Sequence, residues 1–165
     1  MKKRVSKSKS LLLSLLLIVT VSFSLSAQDA RKEYSENYDV SKGVTLVTDT
    51  KYSDVELITW DKSEVDVFAV VEVDASSQGR AEEALKKVDI RISKSGNNVS
   101  VVTEMEKGWS KNVKTSIKIT IKAPAWVSLA MENSYGDLFI QEVSGKVNVD
   151  LKYGNLKVGS LSRGN

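Results

Sequence analysis

Alternation of apolar and polar residues dominates the chain from Val40 onward. The clearest case is segment 63–74, SEVDVFAVVEVD, in which every second residue is valine or alanine. A period of two places successive side chains on opposite faces of a β-strand, so that one face can be buried. Shorter segments with the same period occur around Val44, Val55, Val99, Val113 and Val147. The pattern predicts an all-β chain.

One segment breaks this period. Residues 77–88, SQGRAEEALKKV, carry apolar residues at helical spacing, which predicts a short α-helix over about residues 78–88 with Ser77 as its N-cap. The alternation then resumes on both sides of a Gly/Asn-containing turn at residues 94–98, which predicts a β-hairpin. The only proline, Pro124, is expected to end the next strand.

A repeated pattern of 18 residues is the most informative feature. Residues 134–143 are SYGDLFIQEV, residues 152–161 are KYGNLKVGSL, and residues 51–60, KYSDVELITW, form a fainter copy. Gly or Ser followed by Asp or Asn is typical of a corner with a left-handed residue or an Asx-turn. Repeats of this length with short strands predict a β-solenoid, whose coils bury their apolar faces by stacking.

The repeat also indicates the candidate contact residues. Tyr52, Tyr135 and Tyr153 hold the same position in the three copies, so Tyr135 and Tyr153 should stack one coil apart, at one strand spacing or a small multiple of it. Such a strip either seals the corner as a structural ladder or binds sugar rings. Trp109, between Gly108 and Ser110 in a polar segment, is a third possible ligand contact.

The N-terminus has the layout of a secretory signal peptide. A Lys/Arg-rich start precedes the apolar run at residues 11–25, and small residues follow, so residues 1–27 are predicted to be removed. Five of the 24 basic residues lie in this segment, and without them the net charge changes from +3 to −2, with 19 basic against 21 acidic residues. The charge therefore gives no reason to expect nucleic acid as a partner. Residues 28–38, which lack apolar periodicity, are expected to form a flexible leader before one domain over residues 39–165.

The amino-acid composition excludes several classes of catalytic and metal-binding site. The chain has no Cys and no His, which removes disulfides, thiolate sites and the usual general base near neutral pH. The pair Glu64 and Asp66 is explained by a solvated strand face, and Asp137 and Asn155 by turns rather than by Ca²⁺ binding. We therefore predict no catalytic residue, no cofactor and no metal site.

Several of these features together resemble a known family, the bacterial "putative adhesin" domain of unknown function. The resemblance rests on the signal peptide, the YGD and YGN corners, the segment ITWD at residues 58–61, the inserted helix and hairpin, and the Ala123-Pro124 step. It covers about residues 38–165. It implies an exported β-solenoid protein with no established enzymatic activity. Members of the family continue through more coils, so the resemblance also implies a chain truncated at its C-terminus.

The sequence thus predicts a non-catalytic, exported structural or interaction module of the bacterial envelope or surface. The location would be periplasmic, cell-surface or extracellular, and the partner an envelope protein or a glycan. The end strand at the C-terminal side could associate with another strand edge. The alternative is a carbohydrate-binding module or the remnant of a β-helix carbohydrate-active protein.

Overall fold

The computed structural model describes residues 29–106 and 112–162 of the chain. Within these ranges the backbone forms eleven β-strands and one short α-helix. In chain order the elements are β1 (Asp29–Asp39), β2 (Thr45–Lys51), β3 (Ser53–Trp60), β4 (Glu64–Ala75), α1 (Gln78–Leu85), β5 (Val88–Ser95), β6 (Asn98–Met105), β7 (Val113–Pro124), β8 (Ser128–Ser134), β9 (Leu138–Val143), β10 (Val147–Lys152) and β11 (Leu156–Leu161). No helix in these ranges is long and apolar enough to cross a membrane. The predicted signal peptide lies outside the described residues.

The strands form two mixed sheets that face each other across one core. The six-stranded sheet has the order β1-β4-β7-β3-β9-β11, and the five-stranded sheet has the order β10-β8-β2-β6-β5. Burial of a large apolar side chain contributes about 1.5–3 kcal/mol, so the alternating inward positions supply most of the stability. The largest fully buried side chains are Leu46, Leu57, Ile117, Ile119, Ile121, Met131, Leu138, Ile140, Val65, Val67, Val71 and Val73.

The predicted β-solenoid is wrong, because the domain is a two-sheet sandwich. Strand β4 pairs antiparallel with both β1 and β7, and β5 pairs antiparallel with β6. These strands extend both sheets, so the core lies between two layered sheets. It is not formed by stacked coils of the chain. The prediction failed because it extended the repeat, which covers only three strand pairs, to the rest of the domain.

The repeated units themselves pair in parallel. Strands β2, β8 and β10 are neighbours in one sheet, and β3, β9 and β11 are neighbours in the other. Leu156 lies opposite Leu138, an offset that equals the sequence repeat of 18 residues. Each repeat therefore adds one strand to each sheet and one corner between them.

Residues 29–39 form a strand and not the predicted leader. All eleven residues of β1 pair antiparallel with β4. The inward face carries Ala30, Tyr34 and Tyr38, which pack against the core, but Lys32 and Glu36 lie between them on the same face. These two charges conceal the alternation in the sequence, which is why the segment looked unstructured.

The helix is shorter than predicted. It spans Gln78–Leu85, buries Ala81 and Ala84, and gives way to β5 at Val88. Ser77 occupies the N-cap position in an extended conformation, but its side chain makes no capping hydrogen bond. The predicted start at residue 78, with Ser77 in the N-cap position, is therefore confirmed, whereas the predicted end at residue 88 is wrong by three residues.

Two local predictions are confirmed. Strands β5 and β6 form an antiparallel hairpin, and Gly96 takes a positive φ of 55° in its turn. Strand β7 ends at Pro124, which has no N–H to donate to a ladder.

Candidate functional site

The three repeat corners bring three tyrosines into one stack. Tyr52, Tyr135 and Tyr153 lie between the two strands of their repeats, and successive ring centroids are 4.9 Å apart. The ring planes differ by only 10° and 7°. This spacing is the distance between neighbouring strands of a sheet, so the stack follows from the parallel register of the repeats. The predicted stacking of Tyr135 on Tyr153 is confirmed.

The tyrosines, and not the residues after them, take the left-handed conformation. Their φ angles are 55°, 61° and 56°, whereas Gly136 and Gly154 are not among the residues with positive φ. The prediction that the Gly-Asp or Gly-Asn pair supplies the left-handed residue is therefore wrong by one position. A left-handed backbone costs a non-glycine residue about 1–2 kcal/mol, which stacking contacts of about 0.5–1.5 kcal/mol each offset.

The glycines are required by close approach of the corners. An ideal Cβ on Gly136 would lie 2.1 Å from the carbonyl oxygen of Ser53, and one on Gly154 would lie 2.0 Å from the carbonyl oxygen of Gly136. Both distances are far inside van der Waals contact. Ser53 holds the same position in the first repeat, where the hydroxyl donates a 2.8 Å hydrogen bond to the carbonyl of Lys51. The glycines therefore allow the corners to approach to the strand spacing at which the tyrosines stack.

A buried asparagine holds two corners together from inside. The Asn133 amide donates to the carbonyl oxygens of Ser53 and Gly136 at 3.0 and 3.1 Å. Its Oδ1 accepts a 2.9 Å hydrogen bond from the hydroxyl of Thr50. Asn133 and Thr50 are both buried, so these bonds are shielded from water. The repeat pattern does not identify this residue, and its only signal in the sequence is a polar residue in an inward row just before the YGD corner.

The Asp and Asn that follow the corners form a second ladder beside the tyrosines. The backbone N–H of Asp137 donates to Asp54 Oδ1 at 3.0 Å, and the N–H of Asn155 donates to Asp137 Oδ1 at 2.9 Å. The carboxylates of Asp54 and Asp137 thus bind the backbone of the next repeat, and the Asn155 amide donates back to Asp137 Oδ1 at 3.0 Å, which corrects the prediction that these side chains serve turns within their own repeats. Among residues 29–106 and 112–162, no group of three or more acidic side chains is placed to hold a metal ion.

The stack limits what the tyrosines can contact. Tyr135 has a stacked ring on each face, so its exposed part is its edge and hydroxyl. Tyr153 has a stacked ring on one face, and 79% of its surface is exposed, against 53% for Tyr52 and 50% for Tyr135. A sugar ring binds an aromatic side chain through its face. Of the two predicted tyrosine contacts, only Tyr153 therefore offers a ring face for such binding.

Next to Tyr153 the sandwich has an unprotected edge. Strands β10 and β11 are the last strands of their sheets, and no described element lies beyond them. Val147, Leu156 and Leu161 are 43%, 47% and 65% exposed, whereas Leu138, which lies opposite Leu156 on the neighbouring strand, is fully buried. We call the two strands and these side chains the β10–β11 edge. It presents core-type side chains and unpaired backbone groups together.

The outer face of the six-stranded sheet carries mixed charge. Lys118 lies between Val70 and Asp54, and Lys122 lies between Asp66 and Ile58. A depression of about 390 Å³ on this face is lined by both acidic and basic residues, including Glu56 and Lys157. Because the signs alternate across the strands, the lysine row of β7 does not form a uniform basic surface.

The resolved pKa shifts lie on and around β1, far along the sheets from the tyrosines. The Lys32 ammonium donates to Asp89 at 2.9 Å and lowers the pKa of that carboxyl, with a second hydrogen bond from the Tyr34 hydroxyl at 2.8 Å. Burial raises the pKa of Tyr34. These groups join β1 to β5 and serve the fold.

The predicted carboxylate pair and Trp60 have structural surroundings. Glu64 and Asp66 share the amide of Asn37 at 3.3 and 3.5 Å on the solvent side of β4. The Trp60 indole donates a 2.8 Å hydrogen bond to the backbone carbonyl of Glu64. Trp109, the third predicted ligand contact, lies outside the described residues.

No protein-family model and no curated protein matches the chain. Among solved structures, a "putative cell adhesion protein" from Clostridium sporogenes is 14% identical with a TM-score of 0.43, and the match covers 77% of this chain and 61% of that one. Two proteins described as "putative adhesin", from Bacteroides fragilis and Parabacteroides merdae, are 17% and 12% identical with TM-scores of 0.35 and 0.39. These matches cover 81% and 79% of this chain and 60% and 57% of theirs. The chain thus spans about three fifths of the length of these distantly similar structures.

Proposed function

We propose that this protein is a non-catalytic, exported, adhesin-like interaction module of the bacterial envelope or surface, and that its contact surface is the β10–β11 edge with Tyr153. The observation that carries the proposal is the exposure of core-type side chains at one end of an otherwise buried core. A contiguous exposed apolar patch on a folded domain is typical of an interaction site.

The backbone of the edge supports the same function. Strands β10 and β11 have a hydrogen-bonded neighbour on one side only. A partner strand that pairs with such an edge gains main-chain hydrogen bonds, while the side chains on alternate positions supply specificity. Here the core-side positions of β10 are apolar, and β11 exposes Leu156 and Leu161, so a partner would bury apolar surface and pair its backbone in the same step.

Export is supported by the tripartite N-terminus, and the absence of catalysis by composition. The whole chain lacks His and Cys, and the carboxylates nearest to an acid pair, Glu64 and Asp66, lie on an exposed face and share one asparagine amide. A general acid or base needs a pKa near the working pH, which burial or a like charge in an enclosed site usually provides. An exposed pair in this arrangement better suits a solvated face.

The test is binding of the purified protein to cells of the species that encodes it. The fluorescently labelled wild type is compared with Leu161→Lys at the β10–β11 edge and with Ser35→Lys, a matched surface lysine on β1 at the opposite end of the same sheet. We expect Leu161→Lys to reduce cell-bound fluorescence about tenfold, which corresponds to about 1.4 kcal/mol, and Ser35→Lys to leave it unchanged. Equal binding by both variants would contradict the proposal.

A carbohydrate-binding module is the second candidate, favoured by the free ring face of Tyr153. An aromatic face binds the apolar face of a sugar ring, and Tyr153, which has a stacked ring on one face only and is 79% exposed, provides one. The test is a glycan array probed with Tyr153→Ala and Tyr135→Ala. Loss of a glycan signal with Tyr153→Ala alone would support this function. Absence of any glycan signal from the wild type would exclude it.

A further inference from the structure

We propose that the outer face of the six-stranded sheet binds a neutral carbohydrate chain, which lies across the strands along one row of side chains. Strand pairing sets this row, which takes one residue from each of the six strands: Ser35, Phe68, Thr120, Glu56, Phe139 and Lys157. We call it the transverse row. The inference goes beyond the proposed function, because it assigns a ligand to the face of the sheet and not to its edge.

Two aromatic rings of the transverse row are open to solvent. Phe68 has Ser35 and Thr120 as its neighbours in the row, and these short side chains leave it 38% exposed. Phe139 is half-buried, with the Lys157 ammonium 5.7 Å from the centroid of its ring. The two phenylalanines lie three strand spacings apart, which is about 14 Å. This distance exceeds the width of one sugar ring, so the row suits a chain of linked sugars.

One end of the transverse row lies in the depression of about 390 Å³ on this face, a volume typical of small-ligand sites. Thr120, Glu56 and Phe139 line the depression from the row, and Asp54 and Asp137 line it from the neighbouring row. The backbone hydrogen bonds to Oδ1 of both aspartates hold these two side chains in place. Side chains that are already fixed lose little entropy when a ligand binds.

The charged ends in the depression have hydrogen-bonding capacity to spare. Within residues 29–106 and 112–162, the side chains of Glu56 and Lys118 form no hydrogen bond and no ion pair, although both line the same depression. A carboxylate accepts hydrogen bonds from sugar hydroxyls, and an ammonium donates them to sugar oxygens. These two groups are therefore free to bind a ligand that carries both donors and acceptors.

The mixture of charges in the depression favours a neutral ligand. Asp54, Glu56 and Asp137 would repel an acidic glycan or a nucleic acid, and Lys118 and Lys157 would repel a basic peptide. A lipid or an apolar peptide would remove water from these charges without replacing its hydrogen bonds, which is costly. A neutral sugar chain offers hydroxyls to the charged groups and C–H faces to the phenylalanine rings, so it fits both features of the surface.

Native gels that contain a mixed-linkage glucan, a galactomannan, an arabinogalactan or a dextran test the proposal. We expect at least one of these polysaccharides to retard the wild type. Phe139→Ala should weaken that binding about fivefold through loss of ring stacking. Glu56→Gln, which keeps the size of the side chain, should weaken it about threefold. The matched control is Glu83→Gln on the exposed side of α1, which should be retarded like the wild type.

Oligosaccharides of increasing length, prepared from the polysaccharide that retards the protein, test the direction of the bound chain by titration calorimetry. Phe68→Ala should weaken the binding of long oligosaccharides about threefold. It should leave the shortest oligosaccharide that binds unaffected, because Phe68 lies about 14 Å from Phe139 across the strands. Equal weakening at every length, or no effect at any length, would overturn the placement of the chain along the transverse row.

Three other results would contradict the inference. No retardation by any of the neutral polysaccharides, or retardation by the acidic polygalacturonate alone, would overturn it. If Tyr153→Ala abolishes binding while Phe139→Ala binds like the wild type, the sugar lies on the end of the tyrosine stack and the transverse row is wrong.

The proposed function fails separately. If Leu161→Lys binds cells like the wild type while Phe139→Ala loses polysaccharide binding, the edge is wrong and the transverse row stands.

Discussion

The two ends of the sandwich differ in how far their edge strands are covered. At one end β1 and β5 are tied to each other by hydrogen bonds to Asp89 and Ile92, and the helix packs on β1 and β4. At the other end β10 and β11 leave Leu156 and Leu161 largely exposed. The first end combines antiparallel pairing with charged side chains, and the second consists of parallel repeats.

The difference shows that the residues which form the repeats are not the residues which cover an edge of the sandwich. The corner, the strand pair and the register are the same in each repeat. Each repeat therefore exposes on its outer side the same kind of strand edge as the one on which it packs. A repeat therefore cannot close its own edge. Closure at the β1–β5 end uses residues that do not repeat, such as Lys32 and Tyr34. Substitutions in the repeat corners should accordingly cost more stability than substitutions at the closed end.

The largest effect is expected from Gly136→Ala. The added Cβ would lie 2.1 Å from the Ser53 carbonyl oxygen, so the backbone of one corner must move. We expect a loss of about 3 kcal/mol or more in the free energy of unfolding, measured by urea titration. The matched control is Gly79→Ala in α1, where a Cβ meets nothing within 4 Å. It should raise the free energy of unfolding by about 0.5–1 kcal/mol. Similar values for the two variants would contradict the close-approach account.

Asn133→Leu should have the next largest effect. The substitution leaves the carbonyls of Ser53 and Gly136 and the hydroxyl of Thr50 without their buried partner. We expect a loss of about 2–3 kcal/mol in the free energy of unfolding. Asn98→Leu, at an exposed position, is the control and should change it by less than about 0.5 kcal/mol. A small effect of Asn133→Leu would show that the hydrogen bonds of Asn133 do not stabilise the corners.

The tyrosine stack can be separated into backbone and ring effects. Tyr135→Ala removes two ring contacts and leaves alanine at a φ of 61°, so we expect a loss of about 2 kcal/mol. Tyr135→Asn also removes the rings but suits the left-handed backbone, and it should lose about 1 kcal/mol less. Tyr153→Ala removes one ring contact and should cost about half as much as Tyr135→Ala. Equal losses at both tyrosines would contradict stacking as the main contribution.

The smallest effect is expected at the closed end and depends on pH. The hydrogen bond from Lys32 lowers the pKa of Asp89 below its usual 3.8. The contribution to stability is therefore present above pH 3.8 and is lost as the pH falls through the lowered pKa. Because both side chains are about half exposed, it amounts to a few tenths of a kcal/mol. A double-mutant cycle with Lys32→Met and Asp89→Asn should show coupling at neutral pH that disappears in acid. Coupling that persists in acid would contradict the ion pair.

The repeats were predictable from the sequence, for a physical reason. Strand pairing in parallel register turns an 18-residue sequence offset into a one-strand displacement, so Tyr135 and Tyr153 had to meet once the strands paired. The role of the glycines and the conformation of the tyrosines were not predictable in the same way. A Gly after a Tyr is compatible with a left-handed glycine or with close approach, and only the distance to the Ser53 carbonyl distinguishes them.

The rest of the fold depends on contacts that leave no periodic signal. Lys32 lies on the interior side of β1 because its charge is paired with Asp89 on β5. The two residues are 57 positions apart, and no pattern in the sequence indicates that they pair. Without this partner the segment seemed to be a leader. Alternation predicts that β4 is a strand, but it does not determine which strands pair with it. The antiparallel pairing of β4 with β1 and β7 makes the domain a sandwich.

Hydrogen–deuterium exchange with and without a cell-envelope fraction of the species that encodes the protein tests the central claim most directly, namely that the β10–β11 edge is the contact surface. The account predicts that the amides of β10 and β11 on the free edge exchange more slowly when the envelope fraction is bound, while those of β1 and β5 exchange at the same rate in both samples. Protection of β1 or β5 on binding, or no change at β10 and β11, would contradict it.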